Sequence, residues 1–378
     1  MDADRRRGAG LLVACLFVLG AVLHAGLRPY EFFVSNGVSW SEGAAGLRFS
    51  GQGVAATSES IGWPASGRAA PLSIEVWLRR GASVPADGGV VLAVDDAASI
   101  APLLLAQWKS SLYFRFRALQ DGALIERTLS LGQANFPEDE LRFVALASGE
   151  GGSRAYVEAA EMENAALSHP VAPAGTPLSG RLVLGSRIRA SRSWLGQIEG
   201  LALYRRTLSA QEIASHAAIA RERGVGALAE VPGLLALYAF GEGSGQRTSD
   251  LAGGVGDLVI PRFYRSLELG LLQLRPALDG KRVLRGDVVV NLVGFVPVGL
   301  LLVWALRRWT SKASVAALFW TASGLGLGLS LTIETIQAFL PGRVSSAGDA
   351  ALNAAGTVLG ALLAFAVDRL RKERRRSS

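Results

Sequence analysis

The chain has 378 residues, half of them hydrophobic, and a formal net charge of +7 at neutral pH. So apolar a composition excludes an ordinary soluble enzyme, and the length suits about two domains. The single cysteine, Cys15, excludes an intrachain disulfide framework and a cysteine-bound metal.

Residues 1–9 form a basic N-terminus carrying Arg5, Arg6 and Arg7. Residues 10–27, GLLVACLFVLGAVLHAGL, approach the roughly 20 residues that a hydrocarbon core of about 30 Å requires. "LVAC" matches a lipoprotein cleavage box, but the apolar run continues well past Cys15, which favours an uncleaved transmembrane helix.

Between residues 45 and 260 the apolar pattern has period two. In LSIEVWLRR, Leu72, Ile74, Val76 and Leu78 point one way while Ser73, Glu75, Trp77 and Arg79 point the other. In SLYFRFRAL, Leu112, Phe114 and Phe116 alternate with Tyr113, Arg115 and Arg117. Many short strands broken by Gly and Pro predict an all-β sandwich. One helix interrupts them: Ser209 and Glu212 have capping-box spacing and predict a short helix to about residue 222.

The pieces GLRFSGQG, LSIEVWLRR, RLVLGSRIRASRSWLGQIEGLALYRRTLSAQEIASH and LLALYAFGEGSGQRTSDLAGGVGDLVI resemble the laminin-G-like, concanavalin A-like jelly-roll family. In that family the last piece commonly opens the domain, whereas here it closes it, which implies an edge strand supplied from the other end of the chain. A jelly roll hosts carbohydrate binding, protein binding and purely structural roles. Arg187, Arg189, Arg192 and Trp194 make a basic loop with an aromatic that suits an acidic glycan; the plain alternative is a solvated arginine loop. Some relatives hold Ca²⁺ in acidic loops. Asp95, Asp96 and Asp250 qualify by residue type alone, no position is assigned as a ligand, and no other cofactor is expected. His24, His169 and His216 lack metal spacing.

Residues 261–286 are a linker with a partly apolar stretch from Leu267 to Leu274, read either as a tether or as a segment lying on the membrane surface. The region 287–368 follows, with transmembrane helices predicted over 288–306, 315–340 and 347–367, and residues 369–378 form a basic tail. Basic residues beside membrane segments stay cytoplasmic. Arg5 to Arg7, then Arg307, Arg308 and Lys312, then the tail all agree: both termini inside, the jelly roll outside. The positive charge is thereby explained by membrane flanks, and no nucleic-acid partner is expected.

Polar residues interrupt these spans. On the predicted topology Asp287 sits at the outer surface with Asn291 about 6 Å deeper on the same helical face. Glu334 lies roughly 10 Å below that surface and Gln337 one turn nearer to it. Asp349 stands at the start of the last span and Asn353 one turn in. Three helices thus deliver polar groups to one depth. An intramembrane carboxylate costs about 3 kcal/mol and needs a partner, for which Arg343 is the expected group. Asn291, Gln337 and Asn353 taken singly also fit interhelical hydrogen bonding, with Gly356 and Gly360 allowing close helix approach.

DVVVNLVGFVPVGLLL and ETIQAFLPGRVSSAGDAALNAAGTVLGALL, with the first span, resemble the VanZ-like family over residues 10–30 and 280–368. Asp287, Asn291, Phe295, Pro297, Gly299, Glu334, Gln337, Arg343, Ser346, Asp349, Asn353 and Gly356 match its pattern. The family is named for a protein associated with teicoplanin resistance, so the resemblance implies a role in the bacterial cell envelope, at the cytoplasmic membrane, and no particular reaction. The jelly roll is the departure, standing where a short loop belongs. The expectation is therefore a four-span helical bundle carrying an outward jelly roll. Its partners would be membrane lipids and a lipid-linked or extracellular glycan: Asp287, Asn291, Glu334, Gln337, Arg343, Ser346, Asp349 and Asn353 would bind the polar head of the lipid or lipid-linked glycan, and the jelly roll would meet the sugar. The alternatives are an enzyme using Glu334 or Asp349 as a general base, and an adhesion module merely anchored by its spans. No nucleophile, metal cage or phosphate loop supports the enzyme. The sequence is silent on oligomeric state.

Overall fold

The computed structural model describes residues 2–28, 30, 32–63, 66–81, 88–98, 100–120, 123–132, 136–175, 177–268, 270–273, 283–310 and 312–377. The chain divides into two compact units, Phe33–Glu268 and a second built from Met1–Phe32 together with Leu269–Ser378.

Phe33–Glu268 is a sandwich of two antiparallel sheets, jelly-roll-like. Its first strands are β1 (Val38–Trp40), β2 (Leu47–Ser50), β3 (Ala55–Trp63), β4 (Leu72–Arg80), β5 (Gly89–Asp95), β6 (Leu103–Trp108), β7 (Ser111–Gln120) and β8 (Ala123–Ser130). Then come β9 (Arg142–Gly149), β10 (Gly152–Val157), β11 (Ala160–Leu167), β12 (Leu178–Leu184), β13 (Leu195–Tyr204), β14 (Leu234–Tyr238), β15 (Arg247–Thr248) and β16 (Leu258–Val259). One sheet runs β1-β2-β13-β4-β9-β10-β11, with β14 also paired to β13; the other runs β15-β16-β3-β12-β5-β6-β7-β8. The late strands β15 and β16 thus form an edge beside the early strand β3. The two ends of the unit meet: the Asn36 side chain donates to Val54 O and Pro261 O, and Ser35 bridges Phe263.

The period-two pattern fills the space between the sheets. Leu72, Ile74, Val76 and Leu78 of β4 join Leu112, Phe114 and Phe116 of β7 in one core. The other face of β4 departs from a simple polar-out reading, because Ser73, Glu75 and Trp77 are buried as well. The reason is α2 (Ala210–Arg223), which starts at Ser209 with both halves of the capping box and turns Ile213, His216, Ala217 and Ala220 inward. A carboxylate buried under a helix is costly unless hydrogen-bonded. Glu75 accepts from Tyr204 Oη at 2.8 Å and from His216 Nδ1 at 3.0 Å. Burial, then the charge of Glu75, pushes the Tyr204 phenol well above its ordinary pKa.

The other unit contains α1 (Asp2–Leu27), α3 (Val283–Trp309), α4 (Val315–Gln337) and α5 (Ala347–Ser377), each long and apolar enough to cross a membrane. The helix of α4 stops at Gln337 rather than 340: tight turns, with Phe339 N on Ile336 O and Leu340 N on Gln337 O, prepare the chain for Pro341. Conversely α5 runs to Ser377, past the apolar stretch, with an Arg369–Glu373 pair one turn apart at 3.0 Å. Glycines set the α3–α5 spacing. A Cβ at Gly356 would lie 2.1 Å from Leu292 O, and one at Gly360 would lie 1.9 Å from Val296 O, so the two backbones touch. Val22 of α1 packs with Phe295, Val298 and Ile333.

Candidate functional site

A cavity of about 540 Å³ lies in the helical unit, among α1, α3, α4 and the first turns of α5. Its walls are apolar, with Phe17, Val18, Ala21 and Val22 from α1 facing Val290, Gly294, Phe295 and Pro297 of α3. One end is polar and gathers Asn291, Glu334, Gln337, Arg343, Asp349 and Asn353. Ser346, the further member of the expected cluster, stands behind this end. The side chain of Asp287, together with Glu31 and linker residues 274–282, lies outside the described residues.

Glu334 is 2% exposed, and its Oε2 accepts the Ser346 backbone N–H at 2.6 Å. Ser346 immediately precedes α5, so the carboxylate meets the electropositive end of that helix and satisfies one of its orphan donors. The Ser346 hydroxyl accepts from Asp349 N at 3.2 Å. Arg343, expected to pair with Glu334, donates elsewhere: its Nη2 reaches Gly26 O at 3.0 Å and Ala25 O at 3.3 Å. Gln337 Nε2 joins it on Gly26 O at 2.6 Å. These are last-turn carbonyls of α1 that no intrahelical N–H can reach, which makes them better acceptors than a carboxylate already capping α5. Two polar atoms at this end are buried without a partner, Arg343 Nε and Asn353 Oδ1.

Asn353 Nδ2 donates to Ser330 Oγ at 2.9 Å. Ser330 was missed by the sequence reading, although it stands one turn before Glu334 on the same face of α4. The partnership of Ser345 with the linker was missed too. Its hydroxyl accepts from Leu272 N at 3.0 Å, and Gln273 bridges Ser346. Short polar stretches of this kind leave no periodic signal.

The arginine loop of the sandwich is not the surface it promised to be. Trp194 is fully buried, its Nε1 donating to Gln107 Oε1 at 2.7 Å, and its ring lies 6.0 Å from that of Phe49. Arg187 is turned inward as a fork on fully buried Asp95, with contacts of 2.5 and 2.9 Å. Arg192 Nη2 donates to Tyr113 Oη at 3.0 Å, and Arg189 also has a partner. Burial opposes the charge on Asp95, but the Arg187 guanidinium and the N–H groups of Ile188 and Ala97 hold its carboxyl below the usual range. The calcium candidates are likewise engaged: Asp96 accepts from Arg117 at 2.8 Å, and Asp250 accepts backbone N–H groups from Leu237, Ala252, Val255 and Gly256. Among the described residues no three His, Cys, Asp or Glu side chains stand together as a metal site.

Residues 245–368 match the VanZ/LLP1 family. Residues 50–214 match the concanavalin A-like lectin/glucanases superfamily, through its laminin-G model. The VanZ/LLP1 match begins inside the sandwich unit, at strands β15 and β16, and carries the three C-terminal helices. With its four apolar helices the chain is a membrane protein. No curated protein matches the chain. Among solved structures, a heptameric SAP-like pentraxin from Limulus polyphemus is similar at 9% identity and a TM-score of 0.33, over 49% of this chain and 82% of its own. A Trypanosoma rangeli sialidase is similar at 16% identity and a TM-score of 0.37, over 50% of this chain and 32% of its own. The chain thus spans about a third of that sialidase.

Proposed function

We propose that this VanZ-like protein binds the head of an envelope lipid or lipid-linked glycan in the helical cavity, while the jelly roll engages sugar or protein at the same face. The observation that carries the reading is the composition of the cavity: long apolar walls ending in six polar side chains contributed by α3, α4, the loop after it and α5. An amphiphile has that same division. The basic flanks support a polar end at the outer face of the cytoplasmic membrane, with both termini inside. A contribution to glycopeptide tolerance would act through the lipid so bound.

Gly294 supplies the test, because no heavy atom lies within 4 Å of where its Cβ would stand, and it lines the cavity. Gly294→Leu fills the cavity with no backbone in the way. Native mass spectrometry of the detergent-purified protein should show a retained lipid that Gly294→Leu loses, with the melting temperature of the variant unchanged or raised. Equal retention by the two proteins would remove the cavity as the site.

A further inference from the structure

We infer that the sandwich carries an aromatic foot, the paired rings of Phe33 and Phe263, which enters the lipid interface beside the C-terminal end of α1. The inference rests on α1 crossing the membrane and is independent of what the helical cavity binds.

The fold builds the pair. Residues 34–36 run against residues 262–264: Asn36 N donates to Arg262 O at 3.1 Å, Tyr264 N donates to Val34 O at 2.9 Å, and Ser35 bridges Phe263. Tyr264 anchors this short ladder. It is 4% exposed, packs with Val54, Ala56, Val183 and Ile188, and has its hydroxyl 3.0 Å from Ser186 Oγ. Successive residues of an extended chain point to opposite sides, so the burial of Tyr264 turns Phe263 outward. The Phe263 ring meets that of Phe33 edge-on, with centroids 5.9 Å apart, and Arg262 lies over it at 5.2 Å. Phe33 is 81% exposed. In water that ring would stay hydrated, an unfavourable state for so large an apolar side chain.

Chain connectivity points to what covers it. α1 ends at Leu27, and the Tyr30 hydroxyl is 2.8 Å from His24 Nδ1 in the last turn of that helix. Tyr30 is therefore still beside the helix end. Three residues span at most about 11 Å, so Phe33 stands no farther than that from Tyr30. The polar interface of a bilayer is about 5–8 Å deep on each side of the hydrocarbon core. The pair is thus confined to the neighbourhood of that layer, where aromatic and aliphatic side chains bury their apolar surface among head groups and upper acyl chains. Tyr30 and Phe32, 55% and 39% exposed, extend the same aromatic stretch toward α1. An arginine stacked on one of the rings suits such a boundary, because long basic side chains rest their stems on apolar surface and keep their charge among polar groups. Inserted in this way, the foot keeps the sandwich at the membrane surface instead of leaving it on a free tether.

The experiment places a nitroxide on Phe33→Cys in the full-length protein, with Cys15→Ser removing the one natural thiol. The protein is reconstituted in vesicles of phosphatidylethanolamine and phosphatidylglycerol. Power-saturation electron paramagnetic resonance then compares collisions with oxygen, which concentrates in lipid, and with a water-soluble nickel chelate. Two further labelled variants set the scale. Val13→Cys reports the bilayer, from an α1 position that is 64% exposed. Gly151→Cys reports water, from the turn between β9 and β10, where no heavy atom lies within 4 Å of an added Cβ. Because Phe33 is exposed, its replacement leaves the core of the sandwich intact. The oxygen-to-chelate ratio at position 33 should shift to the Val13 side of the midpoint between the two references. A ratio on the Gly151 side would overturn the inference. So would a label shielded from both reagents, since protein and not lipid would then cover the rings.

Discussion

Asp95 and Arg187 show what one residue contributes when it is read in place. The two stand 92 positions apart in the chain and meet at 2.5 Å with the carboxylate fully buried. Removing one partner of such a pair strands a charge, so Arg187→Ala should destabilise the sandwich by about 3–5 kcal/mol, measured by chemical unfolding. Acid should act in the same direction. The Asp95 carboxyl is held below its unfolded value, so its contribution is complete above that value and is lost as the pH falls through the folded one. Glu212 behaves alike at the surface. The Ser209 N–H, then Arg206, push it down to about 2 from 4.5, so its stabilisation is full above about pH 4.5 and drains away toward pH 2. In acid titrations followed by near-ultraviolet circular dichroism, Glu212→Gln should flatten that part of the profile. None of the Arg187 chemistry was legible in RIRASRSW, because an arginine-rich loop looks the same whether its partner is water or an aspartate across the sheet. The capping box of Glu212 was legible, because both of its halves lie within four residues.

At the scale of elements, the helical unit contains two kinds of glycine that the sequence does not tell apart. Gly356 and Gly360 carry the contact of α5 with α3, where any Cβ meets a backbone oxygen. Gly356→Ala should therefore lower the melting temperature sharply or prevent folding in detergent. Gly294 stands on α3 over open space, and Gly294→Ala should raise stability by up to about 1 kcal/mol, the ordinary helix preference for alanine. The spacing of Gly356 and Gly360 was readable as a small-residue motif, but the partner helix was not, since apolar runs do not encode which neighbour they face. The same holds for β4. Its period of two was plain, and the burial of Glu75 on its polar side was not, because that burial depends on where α2 comes to rest. For the polar cluster, spacing placed Glu334, Gln337, Asp349 and Asn353 at one level. Which of them caps a helix and which lines the cavity followed only from the packing of α1 and α5.

For the whole molecule, the sandwich interrupts the helical unit between α1 and α3, and its two ends are pinned together by Asn36 and the Ser35–Phe263 bridge. Insertions whose ends lie close together leave the host fold undisturbed. Replacing Phe33–Glu268 by a short flexible linker should therefore give a helical unit that still retains lipid in native mass spectrometry. Exchanging the four helices for one unrelated anchor should abolish lipid retention while the sandwich keeps its own unfolding transition. A protein whose envelope phenotype survives that second exchange would be an anchored adhesion module instead. The two-domain layout was the most legible feature of all, because a change from period two to long apolar runs is visible at any scale.

The divided construction of the helical unit also sets a timetable. α1 is synthesised before the other helices of its unit, which follow only after about 255 further residues, a delay of tens of seconds at ordinary rates of synthesis. Throughout that interval the carbonyls of Ala25 and Gly26 have neither Gln337 nor Arg343 to meet, and α1 waits as a solitary helix while the sandwich closes. Assembly of the cavity thus follows synthesis of the sandwich.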